Sequence, residues 1–234
     1  MDKNILIEEL SDILKIEFNN KHLLLEAITH SSYAKPKIKV EYNERLEFLG
    51  DSVLQVVISD YLYNKYKEKK EGELSKLRSL IVCENSLFKI ASGWDLGKFI
   101  RMSKGEEFTG GRHRVSILAD AVEAIIAAIY LDKGMEVARK FILENFKEII
   151  KLATDNKIIM DYKSKLQEYY QQLGDSEIVY ETIKFEGPPH RRKFFVRVLV
   201  NNEIEGFGEG YSKKEGEQKA AKDLLNHLEV IDEK

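Results

Sequence analysis

Apolar residues run almost unbroken round the helix expected from Asn43 to Ile58: Leu46, Phe48, Leu49, Val53, Leu54, Val56, Val57 and Ile58. A helix that is apolar on every side belongs inside a core. This one also carries Glu44, Glu47 and Asp51 at i, i+3 and i+7, which stacks three carboxylates on one face. Carboxylates beside buried surface are costly unless a cation or hydrogen bonds compensate them. A second segment, Ser116 to Asp132, repeats the pattern. It is rich in Ala and Ile, and between Ser116 and Leu131 its only charges are Asp120 and Glu123, one turn apart. Ser116 is the expected N-cap and Gly134 the expected stop. Ala119, Ala124, Ala127 and Ala128 would admit a neighbouring helix closely. Packed together, the two helices would bring Asp120 and Glu123 near Glu47 and Asp51.

Up to about residue 150 the pattern is helix after helix, with turns expected at Glu71-Gly72 and Gly110-Gly111 and a single proline, Pro36. The N-terminal stretch reads as an amphipathic helix, since acids interrupt its apolar run. After Leu152 the order changes. Ala153 to Lys157 is polar and reads as linker. A helix from Asp161 to Leu173 follows, then strands near Ile178–Glu186, Lys193–Asn201 and Glu203–Tyr211, then a helix from Lys213 to about Glu229. The alternation Phe194, Val196, Val198, Val200 marks the middle strand. Asn201-Asn202 signals a tight hairpin, and Ser212 with Glu215 a capping box. The expected fold is therefore an all-α domain (1–152), a linker (153–160), an α-β-β-β-α domain (161–230) and a tail (231–234).

Composition adds limits rather than a partner. Apolar residues make up 43% of the 234, charged residues 33%, and the net charge is only −3. Cys83 is the one cysteine, which excludes an internal disulfide and fits a reducing cytoplasm. Asp120 and Glu123 break the longest apolar stretch, so no membrane span is expected. Four carboxylates on two apolar helices suit a hard cation such as Mg²⁺ or Mn²⁺, and no Cys/His ligand set for zinc exists. The alternative is structural salt bridging through Arg45 or Arg78. Two helices with the same one-turn acid spacing favour the metal.

Here the residues resemble a known family. The stretches Glu44–Leu54 (ERLEFLGDSVL), Gly110–Asp132 and Phe18–Ser32 are similar to the signature, the second acidic motif and the N-terminal segment of bacterial ribonuclease III. Lys163–Gln172, Gly187–Val196 and Ser212–Leu225 resemble its double-stranded-RNA-binding domain. The resemblance implies an all-helical endonuclease domain that acts as a homodimer. It implies Glu47, Asp120 and Glu123 as metal ligands, Asp51 with Glu123 as catalytic carboxylates, and Glu44 and Glu71 as further acids of the catalytic valley. Mg²⁺ is the implied cofactor, with Mn²⁺ as substitute. It implies RNA contacts by Gln167, Glu168, His190, Lys213 and Lys214, a duplex read by its shape and 2′-hydroxyls. The implied reaction cuts both strands of double-stranded RNA, leaving 5′-phosphates, 3′-hydroxyls and a short 3′ overhang, in processing of ribosomal RNA precursors and messages. The rival is a non-catalytic RNA-binding protein on the same fold; the presence of all six acids favours the enzyme.

Several features stay open or depart from the family. From Asp161 onward there are 12 Lys/Arg against 15 Asp/Glu, which argues against tight RNA affinity. Gly216 stands where alanine is expected and should weaken its helix by roughly 0.5–1 kcal/mol. Gly206, Gly208 and Gly210 lack the dinucleotide spacing and read as a glycine-tolerant strand. His30 reads as a hydrogen-bonded structural histidine. Arg112, His113 and Arg114 are either phosphate contacts or structural. Trp94, Phe88 and Phe99 read as core.

Overall fold

The computed structural model describes residues 3–34, 40–155, 162–174, 176–188, 192–228 and 230. The chain divides into two compact units, Met1–Ile158 and Ile159–Lys234, each with its own apolar core.

The first unit is helical: α1 (Lys3–Leu14), α2 (Lys21–Ala27), α3 (Glu44–Lys65), α4 (Glu71–Ile81), α5 (Glu84–Gly93), α6 (Lys104–Phe108), α7 (Val115–Lys133), α8 (Met135–Asn145) and α9 (Lys147–Thr154). At its centre lies α7, with Ile117, Leu118, Val122, Ile125, Ile126 and Ile129 all buried. Helices α2, α3, α5 and α8 pack around it. That enclosure explains why most of α7, apart from Asp120, Glu123 and its C-terminal end, is apolar.

The longer α3 behaves differently. Leu46, Val53, Leu54, Val57, Ile58 and Leu62 are buried, but Phe48 is 78% exposed, Val56 55% and Tyr63 72%. The helix is thus two-faced, with an apolar stripe that its own unit leaves uncovered.

Local details correct the expectations. Ser116 lies inside α7, whose N-cap position is held by Arg114, while Gly134 does terminate the helix. Glu71 and Gly72 are not a turn but the first residues of α4, where Glu73 accepts from the Lys70 N–H (3.1 Å). Acids in a first turn complement the helix dipole and its free N–H groups. Ala153 and Thr154 belong to α9, not to a linker, because Ala153 is fully buried in the core. No helix among the described residues is long and apolar enough to cross a membrane.

The second unit runs α10 (Tyr162–Leu173), β1 (Ile178–Glu186), β2 (Lys193–Val200), β3 (Ile204–Gly210) and α11 (Lys213–His227). The strands form an antiparallel sheet in the order β1-β2-β3. Both helices cover the face carrying Val196, Val198 and Val200. Asn201 (φ 52°) and Asn202 (φ 60°) make the β2–β3 turn with two left-handed residues, the requirement of a type I′ hairpin. The glycines of β3 form a track for α11: a Cβ on Gly208 would lie 2.2 Å from the Ala220 nitrogen. Gly216 has the same reason, since its Cβ would lie 2.7 Å from Val196 Cγ2. Close helix–sheet packing outweighs the helix propensity lost there. The Ser212 cap is also shifted: its Oγ accepts from the Glu215 N–H (3.1 Å), but Glu215 accepts from the Tyr211 N–H (2.8 Å), one residue before the expected partner.

Candidate functional site

The first candidate site lies where α3 crosses α7, and one glycine sets its geometry. A Cβ on Gly50 would lie 1.8 Å from the Glu123 carbonyl oxygen, so only glycine lets the two backbones touch. Gly50 stands between Glu47 and Asp51, and its contact therefore presents both acids to Glu123. The alanines of α7 expected to admit a neighbouring helix are all buried, and Gly50, which the pattern of apolar positions passes over, makes the closest backbone approach possible from the side of α3. Its signal was available, since a glycine inside a strongly apolar helix costs about 1 kcal/mol and marks close approach.

Glu47, Asp120 and Glu123 each offer a carboxylate oxygen, and these atoms lie within 4.8 Å of one another. All three side chains are half-buried. Asp51 sits beside them: Gln55, one turn on, donates to both of its oxygens (2.8 and 2.9 Å). Burial pushes Glu123 up to about 8, helped by the charges of Asp51, Glu47 and Asp120. Burial also raises Glu47, with Asp120, Glu44 and Asp51 adding to it. Asp120 is raised by burial and then by Glu84, while His30 acts in the opposite direction. Such a set is unstable as bare anions and wants a cation.

The expected salt-bridge partners do not supply one. Arg78 donates to Ser59 Oγ (3.0 Å), and the charge of Arg45 acts on Glu26. Arg112 donates to the carbonyls of Gly97 (2.8 Å) and Ile100 (3.1 Å) and to Glu107, and Arg114 pairs with Glu106. Both are thus tied to structure. Glu44 joins the cluster electrostatically through Glu47. Glu71 accepts from Ser75 Oγ (2.8 Å) and is not part of the convergent trio. His30 is held as expected, its Nδ1 against Ser32 Oγ at 2.8 Å. What the sequence did not reveal is that His30 and Glu84 both act on Asp120.

The second candidate site is the exposed surface of the second unit. Gln167 and Glu168 are exposed on α10, and Lys213 and Lys214 are exposed in the first turn of α11. Gln167 and Lys214 line one open groove together with Lys163 and Gln171. His190 lies outside the described residues. Several of its acids are paired with its own bases: Glu217 with Lys163, Glu209 with Lys193, Glu215 with Lys219, and Glu181 and Glu205 with Arg197.

Comparison with known proteins decides what this combination is. Residues 20–150 match the Ribonuclease-III-like family, and residues 162–228 match the double-stranded RNA binding motif. The chain is 60% identical to Ribonuclease 3 of Clostridium perfringens over 229 residues, covering 98% of this chain and 97% of the relative. The chain belongs to the ribonuclease III family. Ribonuclease 3 of Clostridium acetobutylicum is 56% identical over 229 residues, covering 98% of this chain and all of the relative. The solved nuclease domain of ribonuclease III from Campylobacter jejuni is 48% identical with a TM-score of 0.58, covering 61% of this chain and 96% of that one. The ribonuclease III resemblance read from the signature helix, the endoribonuclease class and the helical-plus-α-β-β-β-α architecture thus stand.

Proposed function

We propose that this ribonuclease III family member is a divalent-metal-dependent endoribonuclease that hydrolyses both strands of double-stranded RNA, leaving 5′-phosphates, 3′-hydroxyls and a short 3′ overhang. The observation that carries the reading is the convergence of Glu47, Asp120 and Glu123, which no Lys or Arg among the described residues bridges. An all-oxygen, multiply anionic donor set fits a hard divalent ion, Mg²⁺ with Mn²⁺ as substitute. Bound there, such ions supply an activated water and offset the charge of the phosphodiester and its leaving oxygen.

The chain's own residues divide the work. Glu47, Asp120 and Glu123 hold the ion. Asp51, locked by Gln55, is the further catalytic carboxylate, and its fixed orientation avoids reorganisation during the reaction. Glu44 adds negative potential at Glu47, and His30 favours the ionised, ligating form of Asp120. Glu71 serves the valley from outside the trio. Gln167, Glu168, Lys213, Lys214 and the loop of His190 form the duplex-binding surface.

The working unit is a homodimer joined through α3. Phe48, Val56 and Tyr63 supply an uncovered apolar stripe. The similar nuclease domain from Campylobacter jejuni has a region involved in dimer formation. Leu54 takes no part, being fully buried within its own unit. The cellular role is maturation of ribosomal RNA precursors and processing of messages in the cytoplasm. The test is incubation of the full chain with a long perfect RNA duplex, with and without Mg²⁺, and mapping of product ends. Duplex binding without cleavage at any metal concentration would establish the non-catalytic rival instead.

A further inference from the structure

The second unit carries more acids than bases, so the informative cations are those its acids leave alone. Among the described residues Lys163, Lys184, Lys193, Arg197 and Lys219 each have an acidic partner. Lys213, Lys214 and Lys165 have none, and neither does Arg192, which is held in an unusual way. Its guanidinium carbon lies 4.6 Å from the centroid of the Phe185 ring. Its Nε is buried and has no hydrogen-bond partner. A guanidinium stacked on a ring has one face shielded from water and its donor edge fixed in direction. A buried donor without a partner calls for an acceptor that arrives with a ligand.

The sheet register places this arginine. Phe185 pairs with Phe194, and Phe194 pairs with Gly210. Directly paired residues share a face, and a Cβ on Gly210 would lie 2.6 Å from Glu215 Cβ, in the first turn of α11. Phe185 therefore points to the helix side of the sheet, at the end where α11 begins with Lys213 and Lys214. Phe185 is also 59% exposed, an open aromatic platform rather than core.

We propose that Arg192, preorganised by stacking on Phe185, is a backbone-phosphate contact of the second unit, working with Lys213 and Lys214 on duplex RNA. The proposal rests on the reading that this unit binds double-stranded RNA. Phosphate suits the arginine because the guanidinium fork matches its oxygens. Such a contact fixes position on the duplex and reads no sequence.

The test measures binding of the full chain to an end-labelled perfect RNA duplex in EDTA, across a salt series, with thermal melting to check the fold. Arg192→Gln should reduce the slope of log affinity against log salt by about one unit and weaken binding roughly three- to tenfold at physiological salt. Arg192→Lys should restore the slope. Phe185→Leu should lose part of the affinity and add nothing on top of Arg192→Gln, since the two act as one unit. Lys184→Gln, which removes a cation already paired with Glu186, should leave the slope unchanged. Wild-type slope and affinity in Arg192→Gln, with binding lost in the Lys213→Ala/Lys214→Ala double variant, overturns the proposal and leaves the duplex-binding reading intact. Failure of the unaltered chain to bind duplex overturns both. Should Arg192→Gln melt early, Arg192→Lys and Phe185→Leu decide, and wild-type affinity in both overturns the proposal.

Discussion

The two units of this chain treat charge in opposite ways, and each leaves one demand unmet. In the first, Glu47, Asp120 and Glu123 converge with no Lys or Arg among the described residues paired to them, and Arg78 and Arg112 are committed elsewhere. In the second, acids outnumber bases, yet Lys213, Lys214 and Arg192 stand without acids among the described residues. Net charge therefore misleads in both cases. What identifies a site is uncompensated charge that converges or is held in place by burial or stacking, because such an arrangement raises the free energy of the isolated protein and is relieved by a ligand.

The largest expected effect comes from removing one of the uncompensated acids. Glu123→Gln keeps size and hydrogen-bonding capacity but removes one charge and one strong ligand. Cleavage should fall by several orders of magnitude, since each factor of ten needs only about 1.4 kcal/mol of lost transition-state stabilisation. Duplex binding should persist, and should tighten where bound metal or high pH keeps Glu123 ionised, because the variant then places less negative charge near the phosphates. A gel shift and a cleavage assay on one duplex separate the two effects. Near-wild-type cleavage would break the contrast, by showing the acids of the first unit to be structural.

The next effect concerns the other unmet demand of α3. Phe48 is 78% exposed on the same helix that presents Glu47 and Asp51. Phe48→Glu should convert a dimer of the 27.1 kDa chain into a monomer, read by light scattering, with the isolated fold intact by circular dichroism. An unaltered chain already monomeric at micromolar concentration would show that the exposed stripe serves something else.

The sequence made the fold legible where pattern and packing agree. The alternation in β2 announced the inner face of the sheet, and the apolar run of α7, interrupted by Asp120 and Glu123, fits its central place; the almost all-round apolar pattern of α3, expected to set it inside a core, instead leaves Phe48, Val56 and Tyr63 exposed. Legibility failed where one residue serves a tertiary contact. Gly50 and Gly216 look like local weaknesses, and only the facing backbone or side chain explains them. Glu71-Gly72 resembles a turn because glycine breaks helices, but the first turn of a helix tolerates it and favours the acid. For the site, the i, i+3 spacings located the carboxylates. The influence of Glu84 and His30 on Asp120 comes from separate elements and leaves no spacing to read. Arg192 was hidden for the same reason, since a stacked arginine and a solvated one have the same neighbours in sequence.

The smallest effect tests whether the acid cluster is strained as the contrast requires. Glu123 is pushed from its ordinary 4.5 up to about 8, chiefly by burial. Its folded pKa lies above its unfolded one. Between these values the folded protein holds a proton that the unfolded chain has released, so stability falls as pH rises. The contribution is fully present below the unfolded value of 4.5 and is lost as pH climbs through about 8. In EDTA, the melting temperature of the unaltered chain should therefore decline across this window more steeply than that of Glu123→Gln, whose amide never ionises. Added Mg²⁺ should flatten the difference, because a bound cation favours the ionised carboxylate and expels its proton. Metal affinity measured by calorimetry should accordingly rise with pH over the same range, with proton release detected by varying the buffer. Parallel pH–stability curves for the two proteins without metal would mean that Glu123 carries no unrelieved charge, and the acid cluster would lose its standing as the counterpart of the free cations in the second unit.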